Sequence, residues 1–390
     1  MEQPEAAESK ELDFSVDEFR GRVSRAQQLM QKQGLGALLT THLHNIYYFT
    51  GYRSWLRDSQ HRPFAAVVPA NGEPILILPS LEAGNANLKS WVSDVRLWQA
   101  TDDYVGIYVD ALRQVGALRE SIGIEMGDDM WMGLPLYQWD RLRERASGTR
   151  FVSSSGLMWQ LRSVKSLAEV AYLRKAAWIT DQSVSAAWDA LRPGVTELEI
   201  AATIGSKMLS CGAEGISFLI VKSGFGAHNA GNKYATSRAI QPGDIVTLDI
   251  GCACHGYSSD MIRSACIGQP NPGHRWAHEM AYALHRACIS EVRPNVSIRQ
   301  IDQARVRFLK QQRLPVPLYA GVGHNIGISV HEMPRIGPEG DGCLEAGNVI
   351  TIEPSMKAGP WGGISVEDMV LVTESGYEYL TNAPRELFIK

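Results

Sequence analysis

The sequence predicts a mixed α/β protein of two domains in tandem, the second built from two copies of one unit. Three observations predict this. Helical and strand-like patterns alternate through the first part of the chain. The texture changes at "SSSG" (Ser153–Gly156), shortly before a long helical run. Two stretches of the second part resemble two later ones at nearly constant separation.

In the first domain, Ser15 and Glu18 have capping-box spacing, and Phe19, Val23, Ala26 and Met30 mark one face of a helix that ends at Gly34. "LGALLT" (Leu35–Thr40) and "NIYYFTG" (Asn45–Gly51) read as strands. "FAAVVPANGEPILILP" (Phe64–Pro79) reads as a hairpin turning near Asn71-Gly72. A helix over 104–116 and the strand "SIGIEM" (Ser121–Met126) continue the alternation. Nothing here gathers His, Asp and Glu at catalytic spacing. "THLHN" (Thr41–Asn45) sets His42 and His44 on one side of a strand, a weak metal signal. The boundary is expected at about residue 158, giving domains 1–158 and 159–390.

In the second domain, Ser166 and Glu169 form another capping box and open a helix over 167–191 that stops at Pro193-Gly194. "LRPGVTELEIAATIGSKML" (Leu191–Leu209) resembles "VRPNVSIRQIDQARVRFLK" (Val292–Lys310), and "GDIVTLD" (Gly243–Asp249) resembles "GNVITIE" (Gly347–Glu353). One duplication explains both, and it makes Asp249 and Glu353 equivalent.

Composition removes several function classes. Of 390 residues, 45% are hydrophobic and 21% charged, and the net charge of -4 offers no basic surface for nucleic acid. No apolar run approaches the roughly 20 residues of a membrane span. The acidic, polar start "MEQPEAAESKELDF" is unlike a secretory signal. Cys211, Cys252, Cys254, Cys266, Cys288 and Cys343 show no disulfide framework, so a cytoplasmic location is expected.

The chemistry concentrates in four acids. Asp249 interrupts an apolar strand, Asp260 follows the next strand pattern, and Glu353 and Glu367 repeat the arrangement in the second copy. Four buried carboxylates cannot all ionise without cations, and two divalent ions match their formal charge. "GVGHNIGISVHEMP" (Gly321–Pro334) supplies a nitrogen ligand, His324, among glycines that allow close backbone approach. Such an Asp/Asp/His/Glu/Glu set suits Mn, Fe, Co or Zn, its hard oxygens leaning toward Mn or Fe.

Asp249, Asp260, His324 in "GHNIG", His331 in "HEMP", Glu353 in "TIEPS" and Glu367 in "VED" resemble the aminopeptidase P/prolidase/methionine aminopeptidase family in order, spacing and identity. "NIYYFTGY" is similar to that family's N-terminal domain, and "LRSVKSLAEVAYLRKAA" to the segment opening its catalytic domain. The resemblance implies a pita-bread fold over Leu161–Lys390 and two metals on Asp249, Asp260, His324, Glu353 and Glu367. It implies hydrolysis of an amide C–N bond in a short peptide, most simply an Xaa-Pro peptide. Glu353 would relay a proton from the attacking water, and His331 would hydrogen-bond the oxyanion or the departing nitrogen.

Three positions depart from the peptide-cleaving members. Ser365 stands where an Arg usually precedes the last Glu ligand, Ala320 where a His precedes the ligand His, and Asn232 where a substrate-facing His lies. His228, in "GAHN", looks more like the stretch with the creatinase catalytic His, although all metal carboxylates are present. The departures leave open a small non-peptide substrate, as for ectoine hydrolase, dimethylsulfoniopropionate lyase or creatinase; a peptide-binding module without activity is a third class. "GYRSWLRDSQHRPF" (Gly51–Phe64) gathers Arg53, Trp55 and Arg57. In a homodimer of the kind the resemblance implies, these would bind substrate in the partner's site and replace the missing Arg.

Overall fold

The protein is described from a computed structural model covering residues 10–58, 61–100, 102–127, 129–224, 233–316, 321–357 and 363–390, the side chains of 57 and 58 excepted. It divides into two compact units, Met1–Leu161 and Arg162–Lys390.

The first unit is a six-stranded mixed sheet in the order β4-β3-β2-β1-β5-β6, with helices packed on it. Its strands are β1 (Leu35–Thr40), β2 (Ala65–Pro69), β3 (Ile75–Pro79), β4 (Asp94–Trp98), β5 (Ser121–Ile124) and β6 (Arg150–Ser153). The hairpin expected over 64–79 is the antiparallel β2–β3 pair. Helix α1 (Val16–Gln33) buries Phe19, Val23, Ala26 and Met30 and ends on left-handed Gly34, as its periodicity requires. Only half of its capping box forms: Ser15 accepts from the Glu18 amide, while the Glu18 carboxylate pairs with Arg22 at 3.0 Å.

One element differs from its sequence reading. "NIYYFTG" is not a strand; residues Leu43–Thr50 form helix α2, capped by left-handed Gly51. Asn45 to Thr50 are all buried, so the run faces protein on every side and carries no helical periodicity. What starts the helix is distant in sequence. The buried Glu125 carboxylate accepts from the amides of Thr41 and of the N-cap His42 and from Asn45 Nδ2, tying down the entry to the helix with an acceptor at its N-terminus. His42 and His44 thus sit at a helix start, where the His42 ring accepts from the His44 amide.

Further helices of this unit are α3 (Ala83–Lys89), α4 (Tyr104–Gln114) and α5 (Leu136–Arg145); the unit boundary falls inside α6 (Ser155–Ser163).

The second unit shows the duplication directly. Helices α7 (Leu167–Ala190) and α8 (Glu197–Ser210) precede strands β7 (Gly215–Ser223), β8 (Ile245–Cys254), β9 (Tyr257–Ser258) and β10 (Met261–Cys266). Helices α9 (Pro272–Ile289) and α10 (Ile298–Gln311) precede β11 (Gly323–Asn325), β12 (Glu332–Ile336), β13 (Val349–Ile352), β14 (Met356–Lys357), β15 (Gly363–Ile364) and β16 (Asp368–Val372). β17 (Tyr377–Tyr379) and β18 (Phe388–Ile389) close the chain. The sheets run β18-β10-β8-β7 and β12-β11-β13-β16-β17.

The capping box at Ser166 is complete. The two Arg-Pro turns use the same backbone: Gly194 (φ 86°) and Asn295 (φ 63°) are both left-handed, and asparagine is among the few side chains that tolerate this. Each α7–α8 or α9–α10 pair covers its own sheet, and each half has a separate apolar core.

A buried ion cluster joins the halves. Arg263 on β10 donates to the Asp368 carboxylate on β16 at 2.6 Å and to the Glu367 and Ala383 carbonyls. Arg385 pairs with the same carboxylate at 2.7 Å. Burial resists ionisation of Asp368, but Arg263, His285 and Arg385 together hold its carboxyl well below the usual range. Arg263→Met leaves a buried charge poorly compensated and is expected to cost about 3–5 kcal/mol, read as an earlier denaturant midpoint of the second unit. An unmoved midpoint would remove this cluster from the list of determinants.

Candidate metal centre

Strand alternation brings the acids together. On β8, Val246, Leu248, Ile250, Cys252 and Cys254 enter the core, so Thr247, Asp249 and Gly251 face the other way. Asp260 immediately precedes β10, Glu353 immediately follows β13 and Glu367 immediately precedes β16. Only Asp249 therefore lies within a strand; the other three stand at strand ends, where the side chain can turn inward.

His324 lies on β11, where Gly323 permits the approach: a Cβ there would meet the Thr351 carbonyl oxygen at 2.0 Å. Its Nδ1 contacts the Asn325 carbonyl oxygen at 3.0 Å, and since a carbonyl only accepts, Nδ1 carries the proton. Nε2 is left with its lone pair, 3.4 Å from Glu353 Oε1 and 3.6 Å from Asp260 Oδ2. Asp260, His324 and Glu367 each bring one donor atom within 4.8 Å of the others. His324 Nε2 and both Glu367 carboxylate oxygens are buried with no hydrogen-bond partner among the described residues.

The electrostatics match. Burial and neighbouring carboxylates push Asp260 and Glu367 well above the ordinary carboxylate range. Burial raises Asp249 to about 6 against the pull of Lys222, and burial with Asp249 raises Glu353 to about 8. Burial, then His331, lowers His324 to about 3, so it is neutral and ready to ligate. Neighbouring acids that cannot all be anions, the unpartnered Glu367 oxygens and a bare imidazole nitrogen make Asp260, His324 and Glu367 a group that could hold a divalent metal.

A second layer holds this one. His331 and Glu332 are adjacent and point apart. The His331 ring lies 4.4 Å from that of His324, while the buried Glu332 carboxylate takes Arg162, Lys165 (3.3 Å) and the Ser329 amide (3.1 Å). Burial would raise Glu332, but the two cations bring it down to about 2. Ser365, the expected gap, has a use: its hydroxyl donates to the Glu353 carbonyl at 3.0 Å and fixes that backbone.

Two cations were not singled out by sequence. Arg335 pairs in register with His324, so both side chains share a face, and its charge acts on Glu353, His324 and His331. Lys222 on β7 shares the face of Asp249. Alternation through β12 from His331, and through β7 from Val221, is the signal that locates them.

The remaining expected residues lie in the first unit or outside the described residues. Arg53 is held by Asp13 at 2.8 Å and lies over the Tyr47 ring, and Trp55 is 83% exposed; both belong to the first unit. The Arg57 side chain, His228, Asn232 and Ala320 lie outside the described residues.

The model of Metallopeptidase family M24 matches residues 171–374, and that of the Creatinase/Prolidase N-terminal domain matches 22–164. The chain belongs to metallopeptidase family M24 and is a metal-dependent peptidase of the pita-bread fold. It is similar to the probable dipeptidase PepE of Mycobacterium tuberculosis, 31% identical over 96% of this chain and 98% of that one. It is also similar to an Xaa-Pro dipeptidase of Pyrococcus furiosus, 26% identical over 95% and 100%. Among solved structures, dipeptidase PepE from Mycobacterium ulcerans superposes with a TM-score of 0.85 at 31% identity over 96% and 99% of the chains. The prolidase from Pyrococcus horikoshii does so with 0.82 at 26% identity over 94% and 99%.

Adding a divalent cation to chelator-treated protein should raise its thermal midpoint, because binding at a hundredfold excess over Kd contributes about 2.7 kcal/mol. Asp260→Asn should abolish most of that rise. An equal rise in both proteins would move the metal elsewhere.

A pH effect comes from Glu332. Its folded pKa of about 2 lies below the ordinary 4.5, so its stabilisation is complete above 4.5 and is lost as pH falls toward 2. Acid titration of the unfolding midpoint should show this loss in the native chain and a smaller one in Glu332→Gln.

Proposed function

We propose that the protein is a cytoplasmic homodimeric dipeptidase that uses two divalent ions, Mn or Fe by preference and Co or Zn as substitutes, on Xaa-Pro or related dipeptides. The convergence of Asp260, His324 and Glu367, with His324 Nε2 and the Glu367 oxygens unpartnered among the described residues, carries the reading, with Asp249 and Glu353 completing five ligands. Relatives named dipeptidase and Xaa-Pro dipeptidase support the substrate class. When bound, the ions supply Lewis acidity toward the scissile carbonyl and a water of lowered pKa.

The chain's own groups do the rest. Glu353, half-buried at the mouth of the cluster, accepts the proton of the attacking water and passes it to the departing nitrogen. Partial burial and Arg335 disfavour protonation of His331, so a neutral ring donates its one N–H to the oxyanion. Arg335, exposed on the same face as His324, orients the substrate carboxylate bidentately. Arg53 and Arg57 of a partner subunit would add charge only if the loop bearing them is released from contacts such as Arg53–Asp13.

A substrate screen of Mn- and Fe-loaded protein should find Xaa-Pro dipeptides hydrolysed faster than longer peptides. Turnover of ectoine derivatives, creatine or dimethylsulfoniopropionate without any dipeptide would overturn the reading. Glu353→Gln should lose most activity. His331→Ala should retain metal by elemental analysis yet turn over about a hundredfold more slowly, the scale of one lost acid/base or oxyanion group. Full turnover in that variant would make His331 a structural residue.

A further inference from the structure

Each histidine of the site is followed by a buried polar residue, and one lysine holds both of these. Asn325 follows His324, Glu332 follows His331, and Asn325 and Glu332 pair directly between β11 and β12. The register of the two strands shifts between His324 and Asn325, so the ladder is interrupted beside His324. Lys165, between α6 and α7, reaches this point. Its buried ammonium donates to Asn325 Oδ1 at 2.6 Å, to Glu332 Oε2 at 3.3 Å and to the Ser163 carbonyl at 3.3 Å, which uses all three of its N–H groups. Burial lowers the proton affinity of Lys165, and Glu332 and Glu169 work against that to keep it a cation.

The link from Lys165 to His324 is short. Lys165 and the Ile326 amide (3.1 Å) can only donate, so the Asn325 side-chain oxygen faces both. Asn325 Nδ2 donates to the Ser163 carbonyl at 3.3 Å, which fixes the other end of the side chain. The Ile326 amide belongs to the same planar peptide group as the Asn325 carbonyl, and that carbonyl accepts the His324 Nδ1 proton at 3.0 Å. Whatever holds the Asn325 side chain therefore holds the plane that fixes the His324 tautomer and points Nε2 at the acids.

We propose that Lys165 is a positioning residue: by tying Asn325 to Glu332 across the interrupted ladder, it orients the His324 ring toward the metal and holds it against the His331 ring, 4.4 Å away. The ladder alone does not set this spacing, because its register changes at that step. The inference deepens the metal-dependent dipeptidase reading and rests on it.

The test uses full-length protein. Calorimetric titration of chelator-treated protein with Mn²⁺ should show K165M binding the ion at least about tenfold more weakly than the native chain, the scale of one outer partner of a ligand histidine. Loaded with Co²⁺ instead, K165M should show a shifted visible absorption band, because a turned ring changes the ligand field. With metal saturating, hydrolysis of an Xaa-Pro dipeptide should lose about tenfold in kcat with little change in KM, since the displaced groups act on the transition state. T196A is the control. It removes the N-cap of α8 and weakens the fold, and it should bind Mn²⁺ as the native chain does. N325A cuts only the arm to His324, should reproduce the weak Mn²⁺ binding, and decides the case if K165M does not fold. Native Mn²⁺ affinity in K165M or in N325A would overturn the proposal, as would an equal loss in T196A. If the native chain cleaves no dipeptide, the dipeptidase reading falls, and the Mn²⁺ and Co²⁺ measurements still decide the role of Lys165.

Discussion

Mutual repulsion among Asp249, Asp260, Glu353 and Glu367 is the constraint to which the second unit is built. Acids enclosed together raise one another's proton affinity, and burial adds to the effect. The chain does not relieve this with its own cations at Glu367 or at His324 Nε2, whose buried atoms are unpartnered among the described residues. It leaves the relief to bound ions, which couples metal affinity to the stability of the fold.

Elsewhere in the unit, buried acids are treated in the opposite way. Asp368 follows Glu367 in sequence and Glu332 follows His331, and in both pairs the neighbours point apart. Asp368 is matched by Arg263 and Arg385, and Glu332 by Arg162 and Lys165. The interior acids are therefore stable anions that lock the backbone, while the adjoining residues stay available for chemistry. Electrostatic matching on one face of a strand positions the unmatched groups on the other.

The duplication explains why the two halves have similar build and different content. Equivalent turns at Gly194 and Asn295 launch equivalent helices, and equivalent strands deliver Asp249 and Glu353. Divergence is carried by side chains on the faces that bear the acids: Lys222 in the first half, His324, His331 and Arg335 in the second. A peptide bond is polar in direction, and two halves with different side chains can read that direction where two identical halves could not.

By itself the sequence determined the α/β class, the duplication, the helices after Ser15 and Ser166 and the three donors, Asp260, His324 and Glu367, that the structure brings together. Each of these rests on a local signal: a cap, a period, or an acid inside an apolar strand. Helix α2 was hidden because a run buried on all sides has no periodicity, and its N-terminal partner, Glu125, is distant in sequence. Arg335 and Lys222 look like ordinary surface cations in the sequence, and only strand register places them on the faces of His324 and Asp249. Ser365 read as a missing charge, whereas its role as a tie to the Glu353 backbone depends on the antiparallel pairing of β14 with β15. Candidate ligands are legible in residue type and spacing, but which charges face them is decided by pairing between distant strands, which no local pattern encodes.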